Sequence, residues 1–416
     1  VKSIVVNPPQ SPIRAVIKLA ASKSECNRAL IIDALTGFKS DLSNISEARD
    51  SQTMLRLLHE DSPTADVLDA GTTMRFLTAY FTATNQSKIM TGTPRMCERP
   101  IGILVDALRK LGGKVTYLNQ EGYPPLQIDG FEYNGTNTVS VKGNVSSQYI
   151  SALLLIAPSL PQGIRIELEG EVGSKPYIEM TLKQMAFFGI QYETDWQKNT
   201  IQVQPGAYTP QAYAIESDWS GASYWYSMVA LAQDAEVELL GLKQDSLQGD
   251  SAIAEIMASL GVKTEYTPTG VKLSKIEAKD ALRYDFTDCP DLAQTVAVCC
   301  ALKNIPLTLT GVESLKIKET DRIFALQQEL AKLGAQLVET ISCQEYVVSK
   351  VSEKTDQIPS IDTYDDHRMA MAFAPVGMRY PINIEEPGVV VKSYPGFWSD
   401  LEQITELDEV VEMDPQ

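Results

Sequence analysis

The sequence predicts a two-domain protein built from six α+β repeats of about 70 residues, with helices inside and sheets outside. Three observations lead there. First, six segments open with polar or hydroxyl residues and continue as helices that are apolar nearly all round: 22–35, 70–83, 146–158, 219–232, 289–302 and 365–377. An all-round apolar helix belongs in a core, not on a surface. Second, a helix-to-strand step ending on glycine recurs at Gly112, Gly189, Gly261 and Gly334, spaced 77, 72 and 73 residues apart. Third, the stretch PGAYTPQAYAIESD (205–218), rich in Pro, Gly and Tyr, divides the chain after the third repeat.

Each element has its own local reason. IRAVIKL (13–19) is an extended run that leads into the first buried helix, opened by ASKSECNRAL (21–30). DSQTMLRLLHE (50–60) is amphipathic, which leaves His59 in solvent. DAGTT (69–73) reads as a turn with Asp69 as cap. SSQ (146–148) places a hydroxyl where a helix needs one, and Asp218 opens DWSG in the same way. In DCPD (288–291), Asp288 stands near the cap, Pro290 in the first turn, and Asp291 where the helix dipole favours an anion. Each terminating glycine fits the left-handed position that ends a helix. Short alternating strands follow at 125–130, 200–206, 271–275 and 346–350. The tail 406–416 is acidic and reads as disordered.

Composition narrows the function. Hydrophobic residues make up 44% and charged residues 22% of 416, enough for a sizeable core. Acidic residues outnumber basic ones by 54 to 36, a net charge of −18, which argues against nucleic acid or an anionic membrane as partner. No apolar run is long enough to span a bilayer, and the opening VKSIVVNPPQ is too short and polar for a signal peptide. Six cysteines without a C-x-x-C pattern and only two histidines make zinc an unlikely ligand and imply reduced thiols in a cytoplasmic protein.

Against that acidic background the cations stand at helix starts. Lys23 and Arg28 open the first buried helix, Arg75 the second, and RMCERP (95–100) brings Arg95 and Arg99 ahead of another, with Pro100 in its first position. KETDR (318–322) places Lys318 and Arg322 four apart, on one face if helical; DDHR (365–368) adds His367 and Arg368; VKSYPG (391–396) adds Lys392. A helix start has unpaired N–H groups and a positive dipole, so it binds anions, and Arg or Lys strengthens the contact. A single arginine there is more often a surface charge; recurrence across repeats points to ligands carrying phosphate and carboxylate. Neither nucleotide-loop fingerprint occurs, and no G-x-S-x-G accompanies His367.

The motifs SKSECNRAL, DAGTTMRFL, TGTPRMCERPIG, SSQYISALLL, SKPYIEMT, PDLAQT, KETDRIFAL and YDDHRMAMAFA, in this order from about residue 13 to residue 400, resemble the 5-enolpyruvylshikimate-3-phosphate synthase family. The resemblance implies a two-domain inside-out α/β barrel of six βαβαββ repeats. Residues 1–18 with 217–416 would form one domain and 19–216 the other, with the active site in the cleft between. It implies transfer of the enolpyruvyl group of phosphoenolpyruvate to the 5-hydroxyl of shikimate 3-phosphate, by addition and elimination through a tetrahedral intermediate. No metal and no organic cofactor is implied; the partners are those two small molecules, and the protein is expected to be a cytoplasmic monomer.

Carried over position by position, Ser24, Arg28, Ser146, Ser147, Gln148, Ser174, Tyr177, Asp291, Ser314 and Lys318 would bind shikimate 3-phosphate. Lys23, Gly71, Arg99, Gln148, Arg322, Arg368 and Lys392 would bind phosphoenolpyruvate. Asp291 would take the proton from the attacking hydroxyl, and Glu319 with Lys23 would handle proton delivery at the methylene carbon. Arg75 and Arg95 read as structural and His367 as orienting. The sequence departs from the family at Asp69, where asparagine is usual, at Ser314, where asparagine is expected, and at Cys26, a common serine; glyphosate sensitivity is left open. The rival readings are a UDP-N-acetylglucosamine carboxyvinyltransferase, with Cys97 as its acid, a non-catalytic anion-binding homologue, and an RNA-end-processing relative that the charge disfavours.

Overall fold

A computed structural model of the chain describes residues 2–354 and 356–411. β1 (Ser3–Val6) and β2 (Ile13–Lys18) come first, followed by α1 (Lys23–Leu35), β3 (Asp41–Ser43) and α2 (Arg49–His59). A βαβαββ repeat then runs through β4 (Thr64–Asp66), α3 (Gly71–Ala83), β5 (Ser87–Thr91), α4 (Gly102–Leu111), β6 (Gly113–Tyr117) and β7 (Leu126–Phe131). The next comprises β8 (Thr138–Lys142), α5 (Ser147–Ile156), β9 (Ile164–Glu169), α6 (Lys175–Phe187), β10 (Tyr192–Asp195) and β11 (Thr200–Val203), and β12 (Ala212–Ala214) follows it. Then come α7 (Trp219–Leu231), β13 (Ala235–Leu240), α8 (Ile253–Ala258), β14 (Val262–Thr267) and β15 (Gly270–Lys275). β16 (Leu282–Asp285), α9 (Ala293–Lys303), β17 (Leu307–Thr310), α10 (Arg322–Ala331), β18 (Ala335–Ile341) and β19 (Glu345–Lys350) form another repeat. β20 (Ser360–Ile361), α11 (His367–Phe373), β21 (Ile382–Glu385), α12 (Phe397–Leu401) and β22 (Leu407–Val410) complete the described chain.

Two units result, Lys23–Ile215 and, from both ends of the sequence, Val1–Ser22 with Glu216–Gln416. Their sheets repeat one plan. In β4-β5-β7-β6, β8-β9-β11-β10, β2-β13-β15-β14 and β16-β17-β19-β18 the first pair is parallel and the others antiparallel. The last sheet, β20-β21-β1-β22, borrows β1 for its third place. β2 and β12 are exchanged between the units: β2 runs on into α1 yet pairs with β13, while β12 runs on towards α7 yet pairs with β3.

One repeat is shorter than the others. Among the described residues, β3 and β12 form a sheet of only two strands. The segment after α2 explains it: HEDSPTADVL (59–68) runs straight into β4 and leaves no residues for the hairpin that follows α4, α6, α8 and α10. The acidic tail also differs from expectation, since β22 lies within it and pairs with β1; residues 412–416 lie outside the described residues.

The central helices are buried because their sequences offer no polar face. All of α7 except Ser220 is buried, as is the whole of α11. Each large side chain there, such as Trp225, contributes about 1.5–3 kcal/mol by leaving water. Trp225→Ala would forfeit that and leave a cavity, costing about 3–5 kcal/mol. The four terminating glycines all have positive φ, from 78° at Gly334 to 119° at Gly112. At Gly112 the constraint is steric as well, because a Cβ would meet the Glu132 carbonyl oxygen at 2.0 Å. Any other residue there is strained.

Candidate active site

In the unit Lys23–Ile215 the predicted residues gather at the starts of α1, α3, α5 and α6. Arg28 is 2% exposed in α1. Its Nε donates to Thr181 Oγ1 (2.6 Å), Nη2 to Ser151 Oγ (3.1 Å) and Nη1 to the Ser24 carbonyl (2.9 Å). Its guanidinium lies 5.3 Å from the Phe76 ring and 5.8 Å from that of Tyr177. Burial lowers its pKa to about 10, which Tyr177 and Glu25 only partly oppose. It remains charged at neutral pH, held by hydroxyls, a carbonyl and ring faces. Lys23, at the first position of α1, pairs with Asp50 at 3.1 Å.

A second cationic group surrounds the start of α3. A Cβ on Gly71 would lie 2.6 Å from Arg75 Nη1 and 2.7 Å from Arg99 Nη1, so only glycine lets both guanidinium groups approach the helix start. Arg75 is no distant scaffold: it is 6% exposed, donates to Gln148 Oε1 at 2.8 Å and lies 5.0 Å from the Tyr149 ring. Ser146 caps α5, accepting from the Gln148 amide at 3.3 Å, with Ser147 buried behind it. Ser174 precedes α6 with φ 51°, a left-handed conformation that costs a non-glycine residue about 1–3 kcal/mol and concentrates at functional sites.

In the other unit three carboxylates, Asp291, Glu319 and Asp366, converge with Arg322, His367, Arg368 and Lys392. Arg322, 1% exposed, is the first residue of α10. It holds Asp366 through two bonds (Nε–Oδ2 2.7 Å, Nη2–Oδ1 3.2 Å), Asp291 at 3.0 Å and Glu319 at 2.7 Å. Arg368 reaches Asp291 at 3.4 Å and donates to Tyr224 Oη at 3.1 Å. Lys392, ending the 3-10 turn Pro387–Lys392, lies 3.7 Å from Glu319. His367 contacts Ser393 through Nδ1, with Nε2 3.8 Å from Glu319. Lys318 and the exposed Ser314 lie at and before the end of the turn Glu313–Ile317.

Electrostatics fix the protonation states. Burial alone would raise the pKa of Asp291, but the charges of Arg368, Lys318 and Arg322 outweigh it and hold the carboxyl well below the usual range. Glu319 behaves alike: burial is overcome by Arg322, His367 and Lys392. Burial pushes His367 down to about 4 despite Glu319, leaving it neutral at pH 7. Asp250 goes the other way, raised to about 7 by burial and by the charge of Asp291. Its Oδ2 accepts from Ser220 and its Oδ1 has no hydrogen-bond partner.

Residues 61–401 match the family model described as EPSP synthase (3-phosphoshikimate 1-carboxyvinyltransferase). The chain belongs to the EPSP synthase family. A 3-phosphoshikimate 1-carboxyvinyltransferase of Bacteroides fragilis is 51% identical over 395 residues, covering 94% of this chain and 95% of that protein. One from a Sulfurovum species is 35% identical over 425 residues, covering 95% and 98%. A solved EPSP synthase of Acinetobacter baumannii covers 98% of this chain and 100% of its own with a TM-score of 0.78 at 19% identity, which shows the shared fold.

Against that family pattern the departures have local explanations. Asp69 does not cap α3, whose cap residue is Ala70; it pairs instead with Arg49 at 2.7 Å, which offsets its charge near Gly71. Cys26 is buried and accepts from the Ser46 amide at 3.4 Å. Several sequence-based placements need correction. KETDR is not one helix: Lys318 begins a bend after a 3-10 turn, and Asp321 caps α10, accepting from the Phe324 amide. Asp288 is exposed and Cys289 takes the cap position, while Pro100 lies two residues ahead of α4.

Sequence reasoning missed Asp50, Asp250 and Asp366. The first two carried a signal, since an Asp-Ser pair opens the helical segment after β3 and again after β13. Asp366 sits where a cap was due, two residues before Arg368, whose amide it accepts at 2.9 Å. Glu319, Asp366 and His367 offer donor atoms within 4.8 Å of one another. This is a poor cation site, because Arg322 already bonds both carboxylates and Lys392 stands beside Glu319.

Proposed function

We propose that the chain transfers the enolpyruvyl group of phosphoenolpyruvate to the 5-hydroxyl of shikimate 3-phosphate and releases phosphate. The observation that carries this reading is the cluster in which Asp291 and Glu319 share one buried Arg322 while Arg368 and Lys392 flank them. It supplies two carboxylates for proton transfer and cations for a leaving phosphate. Ser24, Arg28, Ser146, Ser147, Gln148, Ser174, Tyr177, Ser314 and Lys318 take the acceptor. Lys23, Gly71, Gln148, Arg99, Arg322, Arg368 and Lys392 take phosphoenolpyruvate. Both groups act on the same pair of anions, in a cytoplasmic monomer. Among the described residues no helix is long and apolar enough to cross a membrane.

The chemistry balances without a further reactant. Asp291 accepts the hydroxyl proton as the oxygen bonds to C2 of phosphoenolpyruvate, and the methylene carbon takes a proton from Glu319, with Lys23 beside it. Elimination returns that proton to Glu319, breaks the bond from C2 to the phosphate oxygen and restores the double bond, and the hydroxyl proton held by Asp291 leaves with the phosphate. Before substrate arrives both carboxylates are ionised, which suits a base but not an acid. Two multiply charged anions offset the field of Arg322, Arg368 and Lys392 and so raise both pKa values towards the working range.

The test is phosphate release from phosphoenolpyruvate with each acceptor in turn. Release with shikimate 3-phosphate and not with UDP-N-acetylglucosamine is expected; the reverse pattern favours the rival transferase, and release with neither favours a binding protein. Cys97, the rival's candidate acid, lies near the Gly92 carbonyl (Sγ–O 3.9 Å).

A further inference from the structure

α10 carries Arg322 at its first residue and Glu329 seven residues on. Two turns separate them, so both side chains share one face, about 10 Å apart along the axis. Arg322 grips Asp366; Glu329 grips the segment just before it. Glu329, 1% exposed, accepts from the Asp362 amide at 2.7 Å and from Tyr364 Oη at 2.9 Å. Lys332, on the following turn, bonds Glu329 at 2.7 Å and the Ser360 carbonyl at 2.9 Å. The segment so clamped contains Tyr364 and Asp365 at φ 54° and 53°. Two successive left-handed residues without glycine are strained and persist only where their surroundings hold them. Directly after them come Asp366, His367 and Arg368.

We propose that Glu329 is a positioning residue: through Asp362 and Tyr364 it holds the left-handed turn 364–365 and so aims Arg368 and His367. The inference rests on the phosphoenolpyruvate-binding role given above to Arg368. Glu329 accepts from Lys332, the Asp362 amide and Tyr364, so its effect on Arg368 passes through the backbone of 362–366. Releasing it lets the turn relax, which withdraws the start of α11 from its bond with Arg322 and displaces the Arg368 guanidinium.

Glu329→Ala, Glu329→Gln and Tyr364→Phe are compared with the unaltered chain by phosphate release while each substrate is varied, by melting temperature, and by amide hydrogen exchange over residues 360–373. In Glu329→Ala the KM for phosphoenolpyruvate is expected to rise about tenfold, as for loss of a hydrogen bond to a charged group. The KM for shikimate 3-phosphate stays within about twofold, and exchange across 362–368 quickens. Glu329→Gln, whose amide oxygen still accepts from Asp362, recovers most of the loss, and Tyr364→Phe falls between. Unchanged KM values with unchanged exchange overturn the proposal. So does a loss in kcat that only tracks the folded fraction, with both KM values preserved. If Glu329→Ala does not fold, Tyr364→Phe decides by the same two readouts. If the unaltered chain releases no phosphate, the functional reading fails, and the exchange measurement still decides whether Glu329 holds the turn.

Discussion

Arg322 and Asp366 face each other through two hydrogen bonds, 2.7 and 3.2 Å long, between side chains that are 2% and 0% exposed. A guanidinium fork matched to a carboxylate in this way is strong and directional. It is also conditional, because each charge is buried only on account of the other. The pair fixes the start of α10 against the start of α11, and the remaining Arg322 nitrogen bonds reach Asp291 and Glu319.

Arg322→Ala should therefore destabilise the unit as well as stop turnover. Leaving Asp366 buried and unpaired is expected to cost about 3–5 kcal/mol, read as a shift of the urea midpoint. Arg322→Lys keeps the charge but loses the fork, and should recover part of the stability and little of the activity.

Asp291→Asn and Glu319→Gln should each lower kcat by about 10²–10⁴-fold, since each removes one proton-transfer group. Both substrates should still bind in calorimetry. Because the bound anions raise the two carboxyl pKa values, binding at pH 5–6 should take up protons. Binding enthalpies measured in buffers of different ionisation heat would show it, and the uptake should shrink in either variant.

Gly71→Ala tests the cradle at the start of α3. The new methyl would displace the ends of two flexible arginines and not backbone, so the fold should tolerate it. The KM for phosphoenolpyruvate is expected to rise by about tenfold or more as two charge-assisted contacts are lost, with the melting temperature nearly unchanged.

Two buried groups should pull stability in opposite directions across the same acidic range. Asp250 is raised to about 7 from an ordinary 3.8, so its stabilising share is complete at low pH and lost as pH rises through 7. Asp250→Asn should remove its share of the decline in melting temperature as pH rises from about 4 to 7. His367 is lowered to about 4 from 6.5, so the unfolded chain binds its proton first and stability drops as pH falls between those values. Asp291 and Glu319 add to the acid loss below their ordinary pKa values, where the unfolded chain takes up protons that the folded cluster refuses. His367→Asn should remove the part of the decline between pH 6.5 and 5.

What could be read from the residues was whatever depends on near neighbours. Gly112, Gly189, Gly261 and Gly334 announce their helix ends because a left-handed residue is a local requirement. The buried helices announce themselves because an apolar surface on every side has one destination. The cations at helix starts were legible for the same reason. Their partners were not: Asp50 for Lys23, Asp366 for Arg322 and Arg49 for Asp69 are set by packing of distant segments. Lys318 and Arg322 misled because four-residue spacing implies one face only inside a continuous helix, and Asp321 starts a new one.

The borrowed strand has a consequence for synthesis. β1 is the first strand made, yet its sheet neighbours are β21 and β22, nearly four hundred residues later. The stretch Lys23–Ile215 can therefore complete its own sheets while translation continues. β2 finds β13 soon after, but β1 must wait, unpaired, until the ribosome has delivered almost everything else.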